Sequence, residues 1–474
     1  MAWYWLVRYG RLGRIRARFT FLGALTLLLS GIFSGCATPQ PFDSVPAQRC
    51  ASQQQGALGA GGGIIVPLAA NDPTSSDRTS ALYAIRARDG GLAWSCASTT
   101  YAGWDDARLV NGVLYTLAGT APTKDAPAPT HVHAIYAIRP QDGKQLWSYN
   151  FRAGSTSPLA FDGDMLFVTT SATDGASAHS NLYAIHTTTG VLAWEASYGD
   201  TLSAPIIVDH HIVTSVNATS GQELRAIDES SGKTVWSHPL SGNQPPVAWL
   251  VVNDALYISD GSALTKIDGA SGSTRWTAQA FENLSSPLFS APGAIIFSAS
   301  QSILAFDTAT GAMRWSAVLG AHPQLIAVAG QVAYTVTPGA DGVADHIYAL
   351  NVMTGDVIWQ RSASGADIIT PQAGSDVYFT VSTGEQKLAN VEALDQRGRL
   401  RWAYKGQSQY SGGALMPEGA TLYYVWQELQ PSIAENTPVA TNVTALRATD
   451  GATLWTTPLP ALNTYLLPPQ LVAP

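Results

Sequence analysis

Apolar and polar residues alternate along most of this chain in short runs with a period of two, the spacing of half-buried strands. Runs such as Leu82-Tyr83-Ala84-Ile85, Ile135-Tyr136-Ala137-Ile138 and Ile347-Tyr348-Ala349-Leu350 are each followed by a short polar stretch and a glycine. A second apolar run then ends in tryptophan, four residues after that glycine. β-Branched, aliphatic and aromatic residues on both sides of a Gly-containing turn predict an antiparallel hairpin. Glycine suits the turn because it takes positive φ without a steric penalty. A slip of one residue would send the tryptophan to the opposite face, so the fixed spacing sets the register.

The hairpin recurs nine times. Its tryptophans are Trp94, Trp147, Trp194, Trp236, Trp276, Trp315, Trp359, Trp402 and Trp455, at intervals of 53, 47, 42, 40, 39, 44, 43 and 53 residues. Seven units carry alanine ten residues before the tryptophan; Lys266 breaks the pattern in the fifth, and Ala393 stands nine before Trp402 in the eighth. A small residue matched to a large flat one predicts an indole packed where a side chain is missing. Each indole buries roughly 150–250 Å², so nine of them would dominate the contacts between units.

Two further strand-like runs precede each hairpin. Ser157-Pro158-Leu159-Ala160-Phe161 and then Asp164-Met165-Leu166-Phe167-Val168 serve the third unit; Ala204-Pro205-Ile206-Ile207-Val208 and then His211-Ile212-Val213-Thr214 serve the fourth. Four short strands per unit at this period predict an all-β fold, a single closed β-propeller of four-stranded blades. The first unit lacks the proline-bearing run ahead of Gly63-Ile64-Ile65-Val66. The missing strand is expected at the far end, in Leu466–Val472, where a C-terminal strand would complete the first blade and remove the open edges.

The continuous repeat argues for one domain over residues 63–474, with ample core material in 46% hydrophobic and 13% charged residues. The N-terminus departs from it. Arg8, Arg11, Arg14, Arg16 and Arg18 form a basic region ahead of an apolar run from Phe19 to Phe33, which is short for a span of about 20 residues and ends in small residues. Residues 1–35 are therefore expected to be an export signal. Residues 36–62, with Pro39, Pro41, Pro46 and Gln53-Gln54-Gln55, read as a flexible tether. The net charge is −8 before the five arginines are removed and more negative after it, which argues against nucleic acid and against polybasic attachment to a membrane.

The unit Leu-Tyr-Ala-Ile, polar turn, Gly, Trp resembles the PQQ-like (quinoprotein-type) propeller repeat and its tryptophan-docking motif, over nearly all of residues 61–474. Ile32-Phe33-Ser34-Gly35-Cys36 resembles a bacterial lipobox cleaved before Cys36, although Phe33 stands where the motif prefers Leu, Val or Ile. Together they make the chain similar to the BamB-like propeller lipoproteins. That resemblance implies lipidation at Cys36, attachment to the outer side of a bacterial membrane through the lipid, and a non-catalytic scaffold that binds protein or peptide as a monomer. Ala37 after Cys36 would permit outer-membrane sorting in a cell with two membranes. The family norm is eight blades, against nine hairpins here. Cys50 and Cys96 are then left as an even pair, either bridged in an oxidising compartment or as two separate thiols.

A surface carbohydrate- or ligand-binding propeller is an alternative to the scaffold, and the repeat name also raises a quinoprotein dehydrogenase, which implies pyrroloquinoline quinone and Ca²⁺ on the propeller axis. The chain has no adjacent cysteines and no clustered Glu/Asn/Asp set for a cation that needs six to eight oxygens, so neither cofactor nor metal is expected. Asp105-Asp106 reads as a solvated acidic pair. His131-Val132-His133 and His210-His211 read as surface histidines, since two histidines are no metal site without further ligands. No nucleophile, Walker or metalloprotease motif is present. The long insertions, Gly119–His131, Ser171–Asn181, Pro338–His346, Ser382–Asn390 and Trp426–Asn442, all fall between the second and third strands of a unit. They are expected to elaborate one face for binding. Trp104, Trp249 and Trp426 lie outside the ninefold pattern and are the candidate aromatics of that face.

Overall fold

Each predicted hairpin folds with the two runs before it into an antiparallel sheet, and nine such sheets close a ring in a computed structural model, a nine-bladed β-propeller. The structure describes residues 56–473 except 71–79, 99–100, 121–131, 153–154, 175–176, 219–220, 241–247, 281–282, 321, 339–343, 363–365, 372–375, 382–389, 407–409, 430–437 and 460–463. The expected export signal, Cys36 and most of the expected tether lie outside the described residues. Blades two to nine cover residues 101–152, 155–198, 201–239, 248–279, 284–318, 324–362, 366–404 and 410–459. All nine hairpins sit within the ring, so the count exceeds the family norm of eight.

Strands A to D run from the inside of each blade outward. In the first blade, strands B, C and D are Gly63–Ala70, Ser80–Arg86 and Leu92–Ser98, and the A position is filled from the C-terminus by Thr464–Leu466 and Gln470–Val472. Leu68 pairs with Leu466 and Ile64 with Leu471. The interruption falls at Pro468-Pro469, because proline has no N–H to give the ladder. The same cause divides the A strands of the third and fourth blades around Pro158 and Pro205 into Ser155–Thr156 with Ala160–Asp162 and Thr201–Leu202 with Ile206–Val208.

Between blades lies the core. Ile64, Val66 and Tyr83 of the first blade are buried with Tyr423, Val425 and Val443 of the ninth. Tyr115, Leu117 and Trp147 of the second pack with Leu166, Val168 and Tyr183 of the third. This follows from the period of two: alternate residues of every strand face one neighbouring blade or the other.

The tryptophans fasten those contacts. Eight of the nine pair in register with an alanine, Ala84 with Trp94 and Ala226 with Trp236 among them. A β-bulge follows directly in all nine C–D ladders and re-aims the indole. The ring then lies on the turn glycine of the next blade, not of its own. A Cβ on Gly143 would fall 2.8 Å from Trp94, and one on Gly272 2.5 Å from Trp236. These nine glycines have φ between +67° and +76°. Every indole Nε1 also donates to a main-chain oxygen of that next blade, as Trp94 does to Pro140 at 2.7 Å and Trp147 to Thr187 at 2.7 Å.

The departure at Lys266 has its own geometry. Lys266 pairs with Trp276, its Nζ donates to the Thr308 oxygen at 2.9 Å, and the ammonium lies 5.5 Å from the Tyr257 ring centroid. Trp276 Nε1 donates to the same oxygen at 3.3 Å. Lysine thus joins the docking contact where alanine elsewhere only makes room for it.

Candidate interaction face and a cluster at the opposite turns

The antiparallel order A-B-C-D puts the A–B and C–D turns on one face of the ring and the B–C connections on the other. Most A–B turns are two-residue turns with positive φ, such as Asn111-Gly112, Asp209-His210 and Asn253-Asp254. Most C–D turns are held by an Asx residue, and the third blade, which has none, uses Thr189, whose Oγ1 accepts from the Val191 N–H at 3.3 Å. In Asp307–Ala312, Asp307 Oδ1 accepts from the N–H groups of Ala309 and Thr310 at 2.9 and 2.8 Å. The five insertions fall at B–C connections, and much of their length lies outside the described residues. Two are less loop than expected. The third-blade ladder continues to Asp174 opposite Ser177, and the ninth continues to Leu429 opposite Pro438, so Ser171–Asn181 and Trp426–Asn442 are partly strand.

That difference moves one candidate aromatic. Trp426 is not on the face but in strand B of the ninth blade, paired with Asn442 and 7% exposed. It stacks on Tyr424 with ring centroids 6.2 Å apart, and its Nε1 donates to Thr444 Oγ1 at 3.2 Å. The extended ladder turns its side chain toward the packed interior among Tyr378, Leu415 and Trp402. Trp249, on strand A of the fifth blade, is half-buried against the cluster that holds Val208 and Leu256. Trp104 lies on strand A of the second blade opposite Ala118, with its side chain outside the described residues. Cys96 is buried on strand D of the first blade and is disulfide-bonded; Cys50 lies outside the described residues.

Other polar candidates are also relocated. Asp106 is not simply solvated: its Oδ2 accepts from the Leu159 N–H at 3.0 Å, tying the second blade to the third, and Arg108 lies 3.2 Å away. The side chain of Asp105 is outside the described residues, as is His131. His133 is not a surface residue; it is buried and stacks on Phe151 with 7° between the planes. His211 begins a strand and is half-buried.

His210 keeps its exposed position but acquires neighbours that the sequence did not suggest. It occupies the second place of an A–B turn of the fourth blade with φ +57°. Its Nδ1 lies 2.9 Å from Oδ2 of Asp162, at the end of a strand in the third blade. Glu229, from the C–D turn of the fourth blade, completes a group whose ligand atoms all lie within 4.8 Å of one another. Docking fixes Glu229, since its main-chain oxygen accepts from Trp194 Nε1 at 2.8 Å. Its Oε2 is buried with no hydrogen-bond partner. Burial, and then the neighbouring Asp162 carboxylate, push the Glu229 carboxyl above its ordinary range. The hydrogen bond that Asp162 Oδ2 accepts holds the His210 imidazole above its own.

A closed propeller of tryptophan-docked, PQQ-like repeats is the class this geometry defines. The chain belongs to the family described as outer membrane protein assembly factor BamB, which matches residues 131–361 and 299–465. Among curated relatives is the tetrathionate hydrolase of Acidithiobacillus ferrooxidans, 24% identical over 328 residues, which are 64% of this chain. The match spans 59% of the length of that relative. Among solved structures, BamB from Moraxella catarrhalis is 16% identical, with a TM-score of 0.44 over 69% of this chain and 96% of that one. The dihydro-heme d1 dehydrogenase NirN is 11% identical, with a TM-score of 0.46 over 69% of this chain and 71% of that one.

Proposed function

We propose that the protein is a non-catalytic, lipid-anchored scaffold on the outer side of a bacterial membrane, binding protein or peptide through its B–C face as part of envelope protein assembly. Membership of a family described as an outer membrane protein assembly factor carries the reading. The one-sided distribution of insertions supports it, because a plain turn face and an elaborated opposite face suit a platform. In this reading Cys36 bears the lipid, the tether spaces the ring from the membrane, and the acidic chain makes no contact with nucleic acid. Photo-crosslinking from positions in the 382–389 and 430–437 connections of the anchored protein is expected to capture an envelope protein. Crosslinks of equal yield from the tight turns Asn111-Gly112 and Asn253-Asp254 would remove the face assignment. Cys36→Ser is expected to release the protein from the membrane fraction.

A second reading is favoured by the hydrolase among the relatives, and with it stands the quinoprotein alternative. Both are tested on the same purified protein. Hydrolysis of tetrathionate by the purified protein, read as loss of tetrathionate, would replace the scaffold with an enzyme. Dye reduction in the presence of an alcohol or sugar, pyrroloquinoline quinone and Ca²⁺ would do so too.

A further inference from the structure

We propose that Asp162, His210 and Glu229 form a binding site for one divalent transition-metal ion, a clasp across the seam between the third and fourth blades. The proposal is independent of the scaffold reading, since the site lies on the turn face and not on the B–C face.

Three turns supply the donors. An A–B turn of the third blade gives the Asp162 carboxylate, the matching turn of the fourth gives His210 Nδ1, and the C–D turn of the fourth gives the Glu229 carboxylate. One imidazole nitrogen with two carboxylates is a borderline donor set, which suits zinc, cobalt or manganese rather than calcium. Bonds of 2.0–2.2 Å around such an ion place ligand atoms about 3.3 Å apart. The donor atoms already stand within 4.8 Å of one another, with Nδ1 and Oδ2 at 2.9 Å, so closure needs only side-chain adjustment. His210 is exposed, which leaves room for water in the remaining positions.

The repeat itself supplies the comparison. Every blade presents a main-chain oxygen to the indole before it, and the residue at that place is Gly269, Thr308, Val352 or Gln396 in the fifth to eighth blades. Docking therefore has no need of a carboxylate there. Glu229 introduces one and sets it against a second carboxylate from the neighbouring blade, with its Oε2 cut off from water and without a donor. A buried, unpartnered carboxylate oxygen is destabilising unless something positive meets it. The imidazole lies against Asp162; a divalent ion would serve all three groups at once.

Titration of the full-length protein with Co²⁺ at neutral pH tests the site. One equivalent is expected to bind with weak visible absorption and without the intense near-ultraviolet band of thiolate ligation. Zn²⁺ is expected to compete for the site and to raise the thermal midpoint. His210→Asn, which tolerates the left-handed turn, and the isosteric Glu229→Gln should each weaken binding by tenfold or more and abolish the Zn²⁺-induced rise. Absence of uptake at millimolar Co²⁺ would overturn the proposal. So would uptake by Glu229→Gln equal to that of the parent, or a thiolate spectrum, which would put the metal on cysteine.

Discussion

Trp455 Nε1 donates to the main-chain oxygen of Ala87 at 3.1 Å, joining residues 368 positions apart. The contact has the same form as the eight docking bonds between consecutive blades, and the Trp455 ring lies on Gly90 as Trp236 lies on Gly272. The ninth blade thus closes on the first by the same clasp that holds every other pair. Closure is doubled by the C-terminal strands, which pair with Gly63–Ala70 from the inner side.

Two tryptophans of different origin are expected to matter equally. Trp236→Ala removes a docking indole, and Trp426→Ala empties a buried site among Tyr378, Leu415 and Trp402. Each should destabilise the fold by about 3–5 kcal/mol. Leu454→Ala, beside Trp455 but 45% exposed, should stay within about 0.5 kcal/mol. Denaturant titration measures all three, and a small effect at Trp426 alone would return that residue to the surface.

Docking on glycine can be separated from the turn conformation. Gly272 has φ +67° and would place a Cβ 2.5 Å from the Trp236 ring, whereas Gly330 has φ +58° with nothing within 4 Å. Gly330→Ala should show only the left-handed backbone penalty, about 1 kcal/mol. Gly272→Ala should lose more, because the indole must also move. Equal losses by thermal or chemical unfolding would show the ring contact to be slack.

The repeat made the hairpins, the Ala84–Trp94 type of pairing and the C-terminal closure legible, because spacing and period report local register directly. Other features depend on the ring. Trp94 rests on Gly143 rather than Gly90, which follows from the bulge beside it and the approach of the next blade, and neither has a residue signature. Trp426 looked like a loop aromatic because Gln427, Glu428, Gln430 and Pro431 follow it in sequence, yet the ladder runs past it to Leu429. Asp162, His210 and Glu229 come from separate turns, and the spacing of those turns along the chain matches no ligand motif. The adjacent His210-His211 pair was the visible trace, and only one of its members joins the cluster.

Acid should loosen the turns together. The Gly91 N–H and then Arg88 and Arg86 hold Asp89 at about 2, and the Ser271 hydroxyl and then Arg275 hold Asp268 at about 2. Arg314 and the Thr310 N–H keep Asp307 well below the usual carboxylate range. An unfolded aspartate titrates near 3.9. Since the folded values are depressed, their stabilisation is complete above about pH 4 and is lost as pH falls toward about 2. Thermal midpoints are expected to fall across that window. Asp268→Asn should lower the midpoint at neutral pH and flatten the acid slope, and an unchanged slope in that variant would deny the turn its part.

The disulfide at Cys96 bears on the lipid. If Cys36 carries the anchor, Cys50 is the remaining cysteine of the chain, and a non-reduced digest should yield a Cys50–Cys96 peptide. A bridge closing that loop is expected to stabilise by about 4 kcal/mol, read as a drop in unfolding midpoint on reduction. A Cys36–Cys96 peptide from the cell-derived protein would exclude lipidation.

The last prediction concerns the C-terminus. Thr464–Leu466 and Gln470–Val472 supply strand A of the first blade, Leu467 N–H donates to the Pro67 oxygen at 3.1 Å, and Gln470 Oε1 accepts from the Leu109 N–H at 3.3 Å in the second blade. Truncation after Pro460 leaves Trp455 docked on Ala87 but strips the inner edge of Gly63–Ala70. Unpaired backbone groups on an apolar strand invite edge-to-edge association. The truncated protein should therefore unfold at a lower temperature and aggregate, whereas deletion of Thr38–Arg49 from the tether, which spares Cys50, should change neither. A truncated protein that stays monomeric in light scattering, with an unaltered midpoint, would show that the Trp455 clasp closes the ring alone.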